Sequence, residues 1–215
     1  MRLKTRLACL AAALLTLGLS GSVSAQLATR PAEEWIRTLE TPARIASLKI
    51  NETLARLKLK PGDIVADIGA GTGVFSLPLA QAVKPGRAYA VDIDEALLAH
   101  ISDKAGEQGM MNLKTVYGDF ADPLLPEPVD VALINDVLHH IEKREEYLKA
   151  LAGYMKPTGR IAIIEFIPAQ GGHRDQPELQ ISKQTATGWL AAVGFKPVED
   201  IPLFDDKWFV IYAKQ

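Results

Sequence analysis

The chain has 215 residues, 24 of them basic and 26 acidic, with a formal net charge of −2. That length supports one full hydrophobic core and is short for two domains of ordinary size. A mildly acidic chain with no basic run lacks the electrostatic footprint of a nucleic-acid binder, and a single cysteine, Cys9, leaves no disulfide framework and no cysteine–metal set.

Residues 1–25 read as an export leader. Arg2, Lys4 and Arg6 precede an apolar run from Leu7 to Leu19, and Val23 and Ala25 stand at the −3 and −1 positions of a cleavage site before Gln26. The run is shorter than the roughly 20 residues that a membrane-spanning helix needs, and it carries no twin-arginine pair. The expectation is export by the general secretory route, to the periplasm or beyond, with an uncleaved N-terminal anchor as the alternative. The leader holds three basic and no acidic residues, so its removal leaves 190 residues at a formal charge of −5. Cys9 would go with it, and the mature chain would have no thiol.

Residues 26–58 are expected to be helical and to cover the remainder, residues 59–215. Ala32, Trp35, Ile36 and Leu39 recur at helical spacing behind Pro31. Thr41-Pro42 restarts the pattern, and Ala46, Ile50, Leu54 and Leu57 form one apolar stripe. Lys60-Pro61-Gly62 is a turn. Strands are then predicted over Ile64–Ile68, Ala88–Val91, Leu113–Tyr117, Val129–Ile134 and Arg160–Ile167. Helices are predicted over Gly73–Val83, Glu95–Glu107, Glu142–Met155 and Ser182–Val193. This alternation, with β-branched apolar strands, predicts an α/β fold: a parallel, doubly wound sheet with helices on both faces. Lys196–Ile201 and Trp208–Ala213 are close enough to form a hairpin at one sheet edge. The loop 168–181, with Gly171, Gly172, His173 and Arg174, has no clear pattern.

The chemistry gathers where strands end. Asp67-Ile68-Gly69-Ala70-Gly71-Thr72-Gly73 follows the first strand, where an open parallel sheet places its ligands. Glycines there let backbone amides approach a ligand closely. A dinucleotide fingerprint would need its third glycine at position 74, which is Val74. Asp67, two residues before the first glycine, would repel a pyrophosphate by ~1 kcal/mol or more and attract an ammonium. The second strand leads into Asp92, suited to paired ribose hydroxyls. The third leads into Asp119 and Phe120, which offer a carboxylate and a stacking ring, and the fourth into Asn135 and Asp136.

Together these residues resemble class I S-adenosylmethionine (SAM) dependent methyltransferases. Val65–Gly73 looks like the family's first motif, Ala90-Val91-Asp92 like its second-strand acid, and Gly118-Asp119-Phe120 like its adenine-side motif. Leu151–Arg160 is similar to the family's approach to strand five. The resemblance implies a Rossmann-like seven-stranded sheet with an antiparallel C-terminal strand, and SAM as cofactor. It implies that Asp67, Gly69, Ala70, Gly71 and Gly73 hold the methionine end. Asp92, with Ile93 beside it, would take the ribose, Asp119 the adenine amine and Phe120 a ring face, with Asn135 near the cofactor. The N-terminal helices would form a lid.

Methyl transfer is a displacement at an activated carbon, so a base is not obligatory. His139 and His140, just past the fourth strand, are the candidate catalytic residues; the competing reading is a structural pair opening the next helix. His173 and Arg174 could touch an acceptor, and His100 reads as a surface residue. No metal-ligand set is predicted. The acceptor is expected to be a small molecule, a lipid or quinone-like compound, or a protein, and not nucleic acid. No stable membrane span is expected after leader cleavage. An exported, non-catalytic SAM- or nucleoside-binding protein is the alternative, and an NAD-dependent oxidoreductase is disfavoured by Val74 and Asp67.

Overall fold

A computed structural model describes residues 31–215; the predicted leader lies outside the described residues. Three short helices come first: α1 (Ala32–Leu39), α2 (Pro42–Ser47) and α3 (Ile50–Leu57). There follow β1 (Ile64–Ile68), α4 (Ser76–Ala82), β2 (Arg87–Asp92), α5 (Glu95–Glu107), β3 (Leu113–Tyr117) and β4 (Val129–Asn135). The last part comprises α6 (Arg144–Tyr154), β5 (Met155–Phe166), α7 (Lys183–Ala192), β6 (Phe195–Asp200) and β7 (Lys207–Lys214).

The seven strands form one sheet in the order β3-β2-β1-β4-β5-β7-β6. All neighbours pair in parallel except β5 with β7 and β7 with β6. The expected C-terminal hairpin is present, and β7 is the antiparallel strand. Alternation along each strand explains why both faces are covered. Ala66 and Ile68 of β1 join Tyr147, Leu148 and Leu151 of α6 and Leu190 of α7 in one cluster. Val65, from the same strand, packs in the opposite cluster with Leu57 of α3, Leu79 of α4 and Ile101 of α5. Single truncations in either layer, such as Ile101→Ala at a fully buried position, are each worth about 2–5 kcal/mol.

The chain runs outward from β1 to β3, then returns to lay β4 on the other side of β1. Order therefore reverses between β1 and β4, and a crevice opens beyond their carboxyl ends. Asp67 pairs with Leu133 across this boundary, so the β1 and β4 end loops face each other.

Three boundaries differ from the sequence reading. The stripe after Pro42 is not one helix: Lys49 takes a left-handed φ of 44° and divides α2 from α3. The break turns Leu48 fully inward and leaves Ala46 exposed. The helix expected from Gly73 starts at Ser76, because Gly73 itself has a φ of 78° and belongs to the turn. Strand β5 begins at Met155 and not at the predicted Arg160, so Lys156-Pro157-Thr158-Gly159 is extended; Val129 pairs with Met155, and a register shift precedes Val131.

Candidate functional site

The glycine loop is shaped by its neighbours as well as by its own freedom. The amides of Gly69 and Ala70 both donate to the carbonyl of Val91, at 2.8 and 2.9 Å, tying the end of β1 to β2. Gly69 has a φ of 68°, and a Cβ there would run into the side chain of Val137 in the loop after β4. Only glycine fits, so the two loops interlock. Gly71 faces α1, with Leu39 3.2 Å from where its Cβ would stand. At Gly73 a Cβ would press on Ile101 and Leu77.

Asp92 braces this loop. One carboxylate oxygen accepts the Gly71 amide at 2.7 Å, and the other accepts the amides of Ile93 and Asp94 at 2.8 and 3.1 Å. Burial raises its pKa against those three amides. Asp67 is only 4% exposed and accepts the Ser76 hydroxyl at 2.5 Å. Burial, assisted by the Asp92 charge, pushes its pKa up to about 7 despite that hydrogen bond. In the free protein Asp67 is thus poised between proton and charge near neutrality, and a cationic ligand would tip it to the carboxylate.

Loop and acids line one cleft of about 770 Å³, within the roughly 300–1,000 Å³ usual for small-molecule and cofactor sites. Asp67, Gly69, Ala70, Gly71, Asp92 and Ile93 all line it, as do Asp119, Phe120 and Asn135. Asp119 is exposed and accepts the Phe120 amide at 2.5 Å, while the Phe120 ring is 49% exposed and free to receive a flat ligand. Gly73 sits between Thr72 and Val74, which line the cleft, and its own Cα packs toward Ile101 and Leu77. Trp35, Thr38 and Leu39 of α1 and Arg44 of α2 border the cleft. His100 is partly buried and engaged: its Nε2 meets Glu40 at 3.0 Å, and Lys104 meets the same carboxylate at 2.9 Å, which ties the end of α1 to α5.

The opposite end of the cleft is built from β4, β5 and the loop 168–181. His139 and His140 lie on a single 3₁₀ turn, Leu138–His140, and both line the cleft with His173 and Phe166. The His139 ring is nearly fully buried, and its Nδ1 sits 2.8 Å from both carboxylate oxygens of Glu165. Burial, reinforced by the neighbouring His139, His173 and Arg144, lowers the pKa of His140 to about 3, so that imidazole is neutral. Arg174 does not reach the cleft. Beside the histidines, Asp136 has a φ of 54° and accepts a hydrogen bond from Lys207 at 2.6 Å, both side chains being 4% exposed. Its other oxygen is buried without a partner.

Sequence reasoning missed Glu165 and Lys207. Glu165 carried a signal, since an acid inside the apolar run Ile161–Phe166 is out of place without a task. Lys207 carried none, because only the β7 register brings it to Asp136.

Residues 66–163 match the family described as methyltransferase domain. The ubiquinone/menaquinone biosynthesis C-methyltransferase UbiE of Burkholderia mallei strain SAVP1 is 28% identical over 115 residues, which is 53% of this chain and 47% of that protein. The chain thus spans about half the length of the curated relatives it matches. Among solved structures, a SAM-dependent methyltransferase from Aquifex aeolicus aligns with a TM-score of 0.77 at 22% identity, covering 86% of this chain and all of that one. Magnesium protoporphyrin IX methyltransferase from Synechocystis PCC 6803, solved with bound SAH, aligns with a TM-score of 0.68 at 21% identity over 85% of this chain and 93% of its own. The matched segment holds the glycine loop, Asp92, Asp119, Asn135 and both β4-end histidines, and over that stretch the chain is similar to SAM-dependent methyltransferases, whose fold it shares.

Proposed function

We propose that the protein moves a methyl group from SAM to a flat, ring-bearing small molecule, of which a quinone-like compound is the favoured kind. The observation that carries this reading is the chemical division of one cleft. Its β1–β2 end offers the glycine loop, Asp67 and Asp92, which suit an amino-acid tail and a ribose. Its β4–β5 end offers imidazole and phenyl rings from His139, His140, His173 and Phe166, which suit a ring-shaped acceptor.

The chain's own residues account for what such a reaction asks of a protein. Asp67 and the loop amides would orient the methionine end, Asp92 would hold the ribose through its hydroxyls, and Phe120 would lie against the base. SAM supplies the activated methyl group when bound. The His139–Glu165 pair flanks the acceptor end, where an imidazole backed by a carboxylate can take a proton as an acceptor hydroxyl or thiol loses it; His140, with its pKa lowered to about 3, is too weak a base for that task and stays a neutral ring beside the acceptor. The Trp35 and Leu39 side chains of α1 would cover the cofactor and keep water from the reacting carbon. The name of the UbiE relative, a quinone C-methyltransferase, favours the quinone-like acceptor.

Titration calorimetry of the full chain with SAM, S-adenosylhomocysteine and NAD tests the cofactor: the two adenosyl ligands should bind and NAD should not. Label transfer from methyl-labelled SAM to a panel of hydroquinones, catechols and a cell lysate tests turnover. NAD binding without SAM binding refutes the reading, and SAM binding without transfer to any acceptor leaves a non-catalytic binding protein.

A further inference from the structure

Three histidines converge at the acceptor end from two separate parts of the chain, and nothing in methyl transfer asks for three. We propose that His139, His140 and His173 form a site for one divalent transition-metal ion of the zinc kind, with an open coordination position facing the cleft. This goes beyond the methyltransferase reading and does not depend on it.

The geometry is that of a site waiting for its ion. One ring nitrogen from each histidine lies within 4.8 Å of the others. Ring centroids stand 4.0 Å apart for His139–His140 and 4.7 Å for His139–His173. With metal–nitrogen bonds of about 2.0–2.1 Å, tetrahedral ligand atoms lie roughly 3.3 Å apart, so the widest pair closes by about 1.5 Å on binding. Side-chain rotation of the two less buried rings, His140 and His173, supplies that distance.

The hydrogen bonds point the same way. Glu165 can only accept, so its carboxylate fixes the proton of His139 on Nδ1 and aims Nε2 inward. That Nε2 is buried without a partner, as is Nδ1 of His140. Gln176 holds Nδ1 of His173 at 2.6 Å in the same manner, leaving Nε2 free. A carboxylate or carbonyl on the far nitrogen of a histidine is the support that metal-ligating imidazoles use. Glu165 is itself fixed by the backbone amides of His139 at 3.2 Å and Phe166 at 2.8 Å.

The sequence builds the third arm with care. Gly171 and Gly172 press against the Phe166 ring so closely that a Cβ on either would strike it. That contact carries His173, at a φ of 60°, up to the pair on the 3₁₀ turn. Three imidazoles and an open position suit zinc, and the vacant corner would take an oxygen or sulfur atom of the acceptor.

The test uses full-length protein without a histidine tag, stripped with chelator and titrated with ZnCl₂ by calorimetry and with CoCl₂ by visible absorption. One ion per chain and the intense d–d bands of four-coordinate cobalt are expected. Removing a ligand in His173→Ala should weaken zinc binding by more than about 100-fold, and Glu165→Gln by roughly 10–100-fold, the usual cost of losing an outer-shell partner. His100→Ala should bind as the wild type does. The proposal is overturned if stripped wild type binds no zinc, or if His173→Ala and Glu165→Gln both bind it with unchanged affinity. SAM titration of the same samples reports on the cofactor site separately.

Discussion

Asp92→Ala should loosen the cofactor loop before any ligand is added. The side chain makes three charge-assisted bonds to amides, of which the 2.7 Å bond to Gly71 crosses between the β1 and β2 end loops. Bonds of this kind each contribute about 1.5–3 kcal/mol net. Ile93 and Asp94 border the open cleft, so water can replace much of what their amides lose, and relief of the buried charge returns a further part. A net loss of about 2–3 kcal/mol remains, which for a chain of this size lowers Tm by roughly 4–12 °C. Asp92→Asn keeps one acceptor oxygen and should lose about half as much. The measurement is a calorimetric melt of the ligand-free protein, followed by SAM titration of the same variant. Loss of two bonds to the ribose hydroxyls should weaken SAM by at least about 100-fold. An Asp92→Ala protein that melts with the wild type would refute the bracing role. Unchanged SAM affinity would remove Asp92 from the ribose end.

Asp67 makes SAM affinity depend on pH. Its folded pKa of about 7 lies above the usual carboxylate value near 3.9, so in the free protein its contribution to stability is fully present below about pH 4 and is lost as pH rises to 7. SAM binding needs the ionised form. The ligand's α-amino group, with a pKa near 7.7–8.0, stays charged below 7, and affinity should fall by about 5-fold from pH 7 to 6 and by about 9-fold from 6 to 5. Titrations at pH 7, 6 and 5 check this, and Asp67→Asn should flatten the profile; a flat profile in the wild type contradicts it. The leader expected from the sequence has its own test: N-terminal sequencing of protein recovered from outside the cytoplasm should begin at Gln26, and a chain that retains Met1 would refute cleavage.

What the sequence made legible follows from local periodicity. The β-branched runs at 64–68 and 129–135 are apolar on both faces, which only a doubly covered strand tolerates, and the acids after them mark the ends at which an α/β sheet binds ligands. Those two facts were enough for the sheet, the glycine loop and the Asp67–Asp92 end of the cleft. What escaped was decided over long distances. Residue 49 breaks the N-terminal stripe because burying Leu48 outweighs the cost of a left-handed lysine, a balance visible only once the core exists. Met155–Gly159 is extended because Val129 offers it a partner, overriding its turn chemistry. The acceptor end was half legible: His139 and His140 announce themselves as a pair. His173 joins them only when two glycines dock on Phe166, and Glu165 reaches His139 across 26 residues.

The contact between Gly69 and Val137 constrains how the cleft could be reshaped. Val137 borders the acceptor pocket, yet its methyl groups rest where a side chain on the donor-binding turn would otherwise sit. Enlarging or shrinking that valine to admit a different acceptor would shift the turn that grips the donor, so selectivity and donor grip cannot be varied independently there. Changes at His140 escape this penalty, whereas Phe166, on which Gly171 and Gly172 are packed, is tied to its own loop as closely as Val137 is to the turn.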